Sequence, residues 1–200
     1  MCQLGLEQTP IDLTTSIKGE PGVVSLNYKA VAARIVNNGH TIQANIEPGC
    51  SCTIANAKYD LLQFHFHHPS EHLLVGKPFD LECHFVHKAQ NGALAVVGVF
   101  IQPGAKNADL AAVFDVMPAQ EGEARASVAI NPAALMPREG GYFRYMGSLT
   151  TPPCSEGLTW LVYKQPIEAS PDQIKQFASL FANNARPIQR RNRRFLIETN

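Results

Sequence analysis

The sequence has no surplus charge and no long apolar run. Of its 200 residues, 17 are lysine or arginine and 17 are aspartate or glutamate, so the formal net charge is zero with histidine neutral. A general electrostatic attraction to nucleic acid or to an anionic membrane is thereby excluded. The longest apolar stretch, Ala93 to Ile101, falls well short of the roughly 20 residues that a membrane-spanning helix needs. Rich in valine and bounded by Gly92 and Pro103, it reads as a buried strand. Helical periodicity is scarce too. Asn107 to Phe114 carries an apolar stripe at Leu110, Val113 and Phe114, and Ser170-Pro171-Asp172 forms a cap and first turn before Ile174, Phe177, Leu180 and Phe181. Internal repeats, low-complexity tracts and linkers are missing, which limits residues 1–200 to one domain. Glycine and proline are plentiful by contrast, at 14 each. With 45% hydrophobic residues, they suit a mainly β fold with long loops around a substantial core.

What the chain concentrates is histidine: all seven lie between His40 and His87. In Gln63-Phe64-His65-Phe66-His67 polar residues alternate with aromatics at the period of a strand. Gln63, His65 and His67 therefore share one face, and Phe64 and Phe66 point to a core. Leu81-Glu82-Cys83-His84-Phe85-Val86-His87 alternates likewise and places Glu82, His84 and Val86 together. Two antiparallel strands can bring His84 beside the other pair. Three imidazoles without a fourth protein ligand suit a catalytic zinc site, because the open tetrahedral position holds a water that the metal acidifies. A lone histidine in an apolar strand is more often a hydrogen-bonded core residue, but two at i, i+2 with a third on a similar strand outweigh that reading. Gln63 and Glu82 strengthen it, since a ligand imidazole commonly donates its other N–H to such a group. A cupin-like reading of His65-x-His67 with Glu71 fails, because Tyr59 stands where a glycine is wanted and no histidine follows His87.

Further motifs fall in a consistent order: Gln8-Thr9-Pro10-Ile11-Asp12, Asn37-Asn38-Gly39-His40, Pro69-Ser70-Glu71-His72, and Tyr145 through Cys154 with its Ser148-Leu149-Thr150-Thr151-Pro152-Pro153 core. Trp160, the single tryptophan, and Asn184-Ala185-Arg186-Pro187 complete the series. With the two histidine runs, they make the chain resemble an α-class carbonic anhydrase of bacterial type over essentially its whole length. The resemblance implies a large, twisted, mostly antiparallel sheet with the metal at the bottom of a cone-shaped cleft. It implies Zn2+ on His65, His67 and His84, and reversible hydration of carbon dioxide to bicarbonate and a proton, with sensitivity to sulfonamides. Thr150, donating to ionised Glu71, would orient the attacking oxygen, and the inventory of donors fixes that polarity. Val86, Val96, Leu149 and Trp160 match the pocket lining, with Thr151 at its edge and Gln43 on the cleft wall. His40 matches the proton shuttle, a task suited to a side chain that titrates near neutrality. Gln63 and Glu82 would brace the ligands, while His72 and His87 would brace Glu71 and the sheet around the metal. His68 faces away from the ligands. The run Arg186, Arg190, Arg191, Arg193 and Arg194 reads as a solvated or salt-bridged tail strand in a neutral chain.

Five cysteines are an odd number, so at least one is unpaired within the chain. The resemblance pairs Cys2 with Cys154, a bond that needs an oxidising compartment and so implies a periplasmic or secreted location. Cys83 reads as a core thiol. For Cys50 and Cys52 two readings stay open: a metal or redox role, or strand-edge thiols with none. The sequence opens almost directly on the Gln8-Thr9-Pro10 motif, so the family's N-terminal arm and a signal peptide are both expected to be absent from this form. The partner expected is the small-molecule substrate, with no nucleic acid and no membrane span, and a homodimer is compatible. A catalytically silent carbonic-anhydrase-like binding domain is the alternative. Such relatives lose ligand histidines, whereas this chain keeps all three together with Thr150, Glu71 and His40.

Overall fold

The computed structural model describes residues 2, 5–20, 22, 24–124 and 127–199. One large mixed sheet organises them. Its main path runs from Val128–Ile130 through Val31–Asn37, Ile42–Ile46, Ala57–His67, Leu81–Ala89, Leu94–Pro103, Glu156–Tyr163, Tyr142–Ser148 and Ile197–Glu198 to Ile17–Lys18. Most neighbours are antiparallel, as expected. The parallel exceptions include Leu94–Pro103 against Glu156–Tyr163 and Ile197–Glu198 against Ile17–Lys18.

The central strands are buried on both faces, which explains why Ala93 to Ile101 is apolar without alternation. Val97, Val99 and Ile101 join Phe64, Phe66 and Phe85 in one cluster, while Val96 and Phe100 join Val86, Tyr145 and Trp160 in the other. Each fully buried Phe or Leu there contributes roughly 1.5–3 kcal/mol. Gly98 interrupts the run for a local reason: it lies opposite His84, and a Cβ there would stand 3.0 Å from Glu82 Oε1.

The two predicted helices form at Ala108–Phe114 and Pro171–Ala178 and bury Leu110, Val113, Phe114, Ile174 and Phe177 against the first cluster. Asn107 caps the first helix, its Oδ1 accepting from the N–H groups of Asp109 and Leu110 at 3.0 Å each. Ser170 and Gln173 form a capping box on the second. Gln173 also ties the two starts together, accepting from Asn107 N at 2.9 Å and donating to Asn107 O at 2.7 Å.

Cys2 and Cys154 are disulfide-bonded. Cys50, Cys52 and Cys83 are buried free thiols, and burial pushes Cys52 up to about 12. Among the described residues none of them joins a group of three or more side chains that could hold a metal ion. Among the described residues no helix is long and apolar enough to cross a membrane.

Candidate metal centre

Register builds the site. The strands Ala57–His67 and Leu81–Ala89 pair antiparallel with His65 opposite His84, His67 opposite Glu82 and Gln63 opposite Val86. The cross-strand partnership expected from alternation is thereby formed. Ring centroids lie 5.1 Å apart for His65–His67, 5.4 Å for His65–His84 and 4.6 Å for His67–His84. One nitrogen from each ring falls within 4.8 Å of the other two.

The opposite nitrogens are already engaged. His65 Nδ1 donates to Gln63 Oε1 at 2.8 Å, and His67 Nδ1 to the Asn184 carbonyl at 3.3 Å. His84 Nε2 stands 3.0 Å from Glu82 Oε1, though its N–H is not aligned with that oxygen, so the pair is electrostatic more than a straight hydrogen bond. These contacts assign the tautomers and leave His65 Nε2, His67 Nε2 and His84 Nδ1 as the inward lone pairs. Among the described residues, buried His67 Nε2 has no hydrogen-bond partner at all. An orphaned imidazole nitrogen beside two others is what a metal would satisfy, so the donor set fits zinc.

Electrostatics agrees in part. Burial, helped by the two neighbouring imidazoles, holds His65 well below the usual histidine value, and burial outweighs the Glu71 carboxylate at His67 to lower it too. Both are thus neutral, as ligands must be. At His84 burial also pushes down, but the charge of Glu82 close beside Nε2, with Glu71 behind, raises it overall. Glu82 is the counterpart: burial pushes it up, and His72 and His84 more than reverse that, so it stays ionised.

A second group, His72, Glu82 and His84, has its ligand atoms equally close. It is a bracing chain rather than another donor set, because both oxygens of Glu82 and both ring nitrogens of His72 are already taken up. Glu82 Oε1 accepts from His72 Nδ1 at 2.8 Å, Glu82 Oε2 accepts from His72 N at 2.9 Å, and His72 Nε2 meets Tyr145 OH at 2.7 Å. Tyr145 OH in turn donates to Thr9 Oγ1 at 3.0 Å. The expectation for His72 is corrected accordingly: it braces Glu82, not Glu71. His87 is corrected as well. It shares the opposite strand face with Phe85, stacks on Tyr28 and meets Tyr28 OH through Nε2 at 2.7 Å, away from the three ligands.

Glu71 is buried, with Oε1 accepting from Arg186 N at 2.8 Å. Its Oε2 lies 3.8 Å from His84 Nδ1 and has no hydrogen-bond partner among the described residues, so the expected donation from Thr150 is not formed. Thr150 lies in the loop tied to the N-terminal segment by the disulfide and by Gln8 Nε2 on the Cys154 carbonyl at 3.1 Å, and the Arg186 guanidinium holds that N-terminal segment through Thr9 O, Cys2 O and Gln8 Oε1.

A cleft of about 510 Å³ opens over the site. His40, Gln43, Gln63, His65, His67 and Thr151 line it together with the segment 180–184. His40 is exposed at the rim in a turn that Asn38 Oδ1 holds by accepting from the N–H groups of His40 and Thr41, with Gly39 at φ 82. Val86, Val96 and Trp160 form a row across three adjacent strands, packed deep with Leu149 against them rather than at the mouth. Trp160 sits 4.9 Å from His84, centroid to centroid, its Nε1 donating to Ser148 O at 3.0 Å. His68 points away, with Nδ1 on the Ala182 carbonyl at 2.7 Å. Asn184 carries a role that the sequence did not assign. Its carbonyl orients His67, while its side chain accepts from His68 N and donates to the carbonyls of His40 and Phe66.

Oriented imidazoles around a space open on one side are the mark of an enzyme's metal centre rather than a closed structural one. Sequence and fold comparison make the class definite. The chain belongs to the eukaryotic-type carbonic anhydrase family, whose family model matches residues 1–199. It is 45% identical over 202 residues to a carbonic anhydrase of Pectobacterium carotovorum, covering 98% of this chain and 82% of that one. To a carbonic anhydrase of Nostoc sp. it is 44% identical over 205 residues, covering 99% and 78%. The solved α-carbonic anhydrase of Thermovibrio ammonificans, in complex with the inhibitor sulfanilamide, superposes with a TM-score of 0.95 at 41% identity, covering 98% of this chain and 89% of that one.

Proposed function

We propose that this chain catalyses the zinc-dependent, reversible hydration of carbon dioxide to bicarbonate and a proton, with His65, His67 and His84 holding the metal. The observation that carries the proposal is the convergence of three imidazole nitrogens, one of them buried and orphaned, while each ring's other nitrogen already has a contact. When bound, zinc supplies a Lewis acid that makes hydroxide available near neutral pH. The chain's own residues do the rest. Gln63, the Asn184 carbonyl and Glu82 hold the rings in the receiving tautomer. Buried Glu71 is fixed at one oxygen by Arg186 N and keeps Oε2 unpartnered; the Thr150 hydroxyl, not bonded to it in this structure, would donate there once turned toward it and so orient a nucleophile in the cleft. The apolar row of Val86, Val96 and Trp160, with Leu149, gives a small apolar substrate a dry resting place. His40 at the rim carries the proton to solvent, and Gln43 and Thr151 line the way out. The Cys2–Cys154 bond supports an oxidising compartment, the periplasm or the exterior. Sulfonamide inhibition is inferred from the Thermovibrio relative.

The test is stopped-flow carbon dioxide hydration on protein whose zinc content is measured on the same sample, with and without a sulfonamide. Sulfonamide-sensitive hydration at about one zinc per chain is the expected result. Full zinc without hydration would favour a silent binding domain, and failure to retain zinc would overturn the ligand set.

A further inference from the structure

We propose that the groove between Leu6–Glu7 and the segment 192–197 is a second binding site, for amphipathic organic anions: an apolar body carrying one carboxylate or sulfonate. Three observations converge on it. First, large apolar side chains left in water gather there: Leu6 is 71% exposed, Phe195 72% and Met146 41%, and all three line the groove. Ile17, 54% exposed, is paired with Ile197 on the same wall. Scattered exposed apolar residues are ordinary, but a contiguous set marks a contact surface. Second, the groove has a volume of about 950 Å³, larger than the cleft over the histidines and within the range of small-molecule sites.

Third, its charge is one-sided in a chain whose net charge is zero. Arg193 and Arg194 line it, and Glu7 brings the one carboxylate among the described lining residues. Among the described residues neither Arg193 nor Arg194 has an ion-pair partner. Arg194 is fixed in place: Nε donates to Arg191 O at 2.9 Å, Nη1 to Met146 O at 3.0 Å, and Nη2 to Gln8 O at 2.8 Å and Arg190 O at 2.9 Å. Carbonyls take up its donors, while the Glu7 and Glu156 carboxylates act on its charge from a distance without an ion-pair contact. Its guanidinium carbon lies 5.5 Å from the centre of the Tyr145 ring, so the groove floor presents a held positive charge over an aromatic plate. Arg193 is exposed at the rim, free to close on an anionic head. A nucleic acid would find too little cationic length here, and a purely apolar ligand would leave the arginines unused. An anion with an apolar body uses both.

The site is independent of the metal centre, and the experiment keeps them apart. Decanoate is titrated into the full chain by calorimetry, with the histidine cleft blocked by a saturating sulfonamide. Decyltrimethylammonium serves as the cationic control. Saturable binding of about one decanoate per chain is expected. It should weaken about tenfold in Arg193→Glu, where attraction becomes repulsion, and about tenfold in Phe195→Ser, where apolar burial is lost. Both side chains are exposed, so unchanged circular dichroism and thermal midpoints without ligand verify that the variants fold. Absence of saturable binding, displacement by the sulfonamide, equal binding of the cationic control, or affinity unchanged in both variants would each overturn the proposal.

Discussion

His84 and His87 lie three residues apart on one strand, both fully buried, and the fold treats them in opposite ways. His84 faces Glu82 and Glu71 and is raised above the ordinary histidine value despite its burial. On the other face His87 meets Tyr28 and the apolar core, and burial lowers it to about 4. Burial pushes both down, so the carboxylates make the difference. The lesson is local to this strand: equal burial leaves two imidazoles in different states when only one of them has carboxylates beside it.

The most drastic way to break that contrast is to remove a ligand from the acid-backed face. His65→Ala should lose stoichiometric zinc and carbon dioxide hydration together, and elemental analysis showing undiminished zinc in that variant would refute the ligand assignment. Glu82→Gln keeps the shape and removes the charge, so zinc affinity should fall roughly 10- to 100-fold in a chelator competition. Unaltered affinity would mean that the His72–Glu82–His84 chain is structural only.

The core face responds to pH. Because the fold lowers His87 from 6.5 to about 4, it favours the neutral ring. That contribution is complete above the unfolded value and is lost as pH falls from 6.5 toward 4, up to about 3 kcal/mol. Urea unfolding at pH 7 and pH 4 should show that much less acid sensitivity in His87→Gln than in the parent, and identical pH slopes would count against it. The smallest effect concerns Cys52, raised to about 12 by burial on the same side of the sheet. It should resist alkylation by iodoacetamide at pH 8 until the chain is unfolded, whereas labelling of the native protein would show an open route to that core.

Much of this was legible because strand period is local. Gln63-Phe64-His65-Phe66-His67 and Glu82-Cys83-His84 declare their faces by alternation, and Asn107 and Ser170 declare helix starts by cap chemistry. Contacts made across the fold left no such trace. His67 is oriented by the backbone carbonyl of Asn184, which any residue could supply, so no side-chain pattern announces it. The partner of His72 depended on which carboxylate the fold brought beside it, and the sequence offered both Glu71 and Glu82. His87 belongs by alternation with Phe85, a signal present in the sequence that the family likeness overrode. The groove at Phe195 joins segments nearly the whole chain apart, and periodicity is silent at that range.

The Cys2–Cys154 bond closes a ring with a sequence separation of 152, which contains both ligand strands but not Asn184 or Arg186. Those two return from outside the ring to clasp it, Asn184 at His67 and Arg186 at Glu71 and at the Cys2 carbonyl itself. In the chain-entropy account, closing so long a loop removes about 5 kcal/mol of freedom from the unfolded chain. The stability of the metal-facing architecture is then partly a property of its surroundings. A reducing milieu would restore that freedom to the unfolded state without disturbing a single strand of the native one.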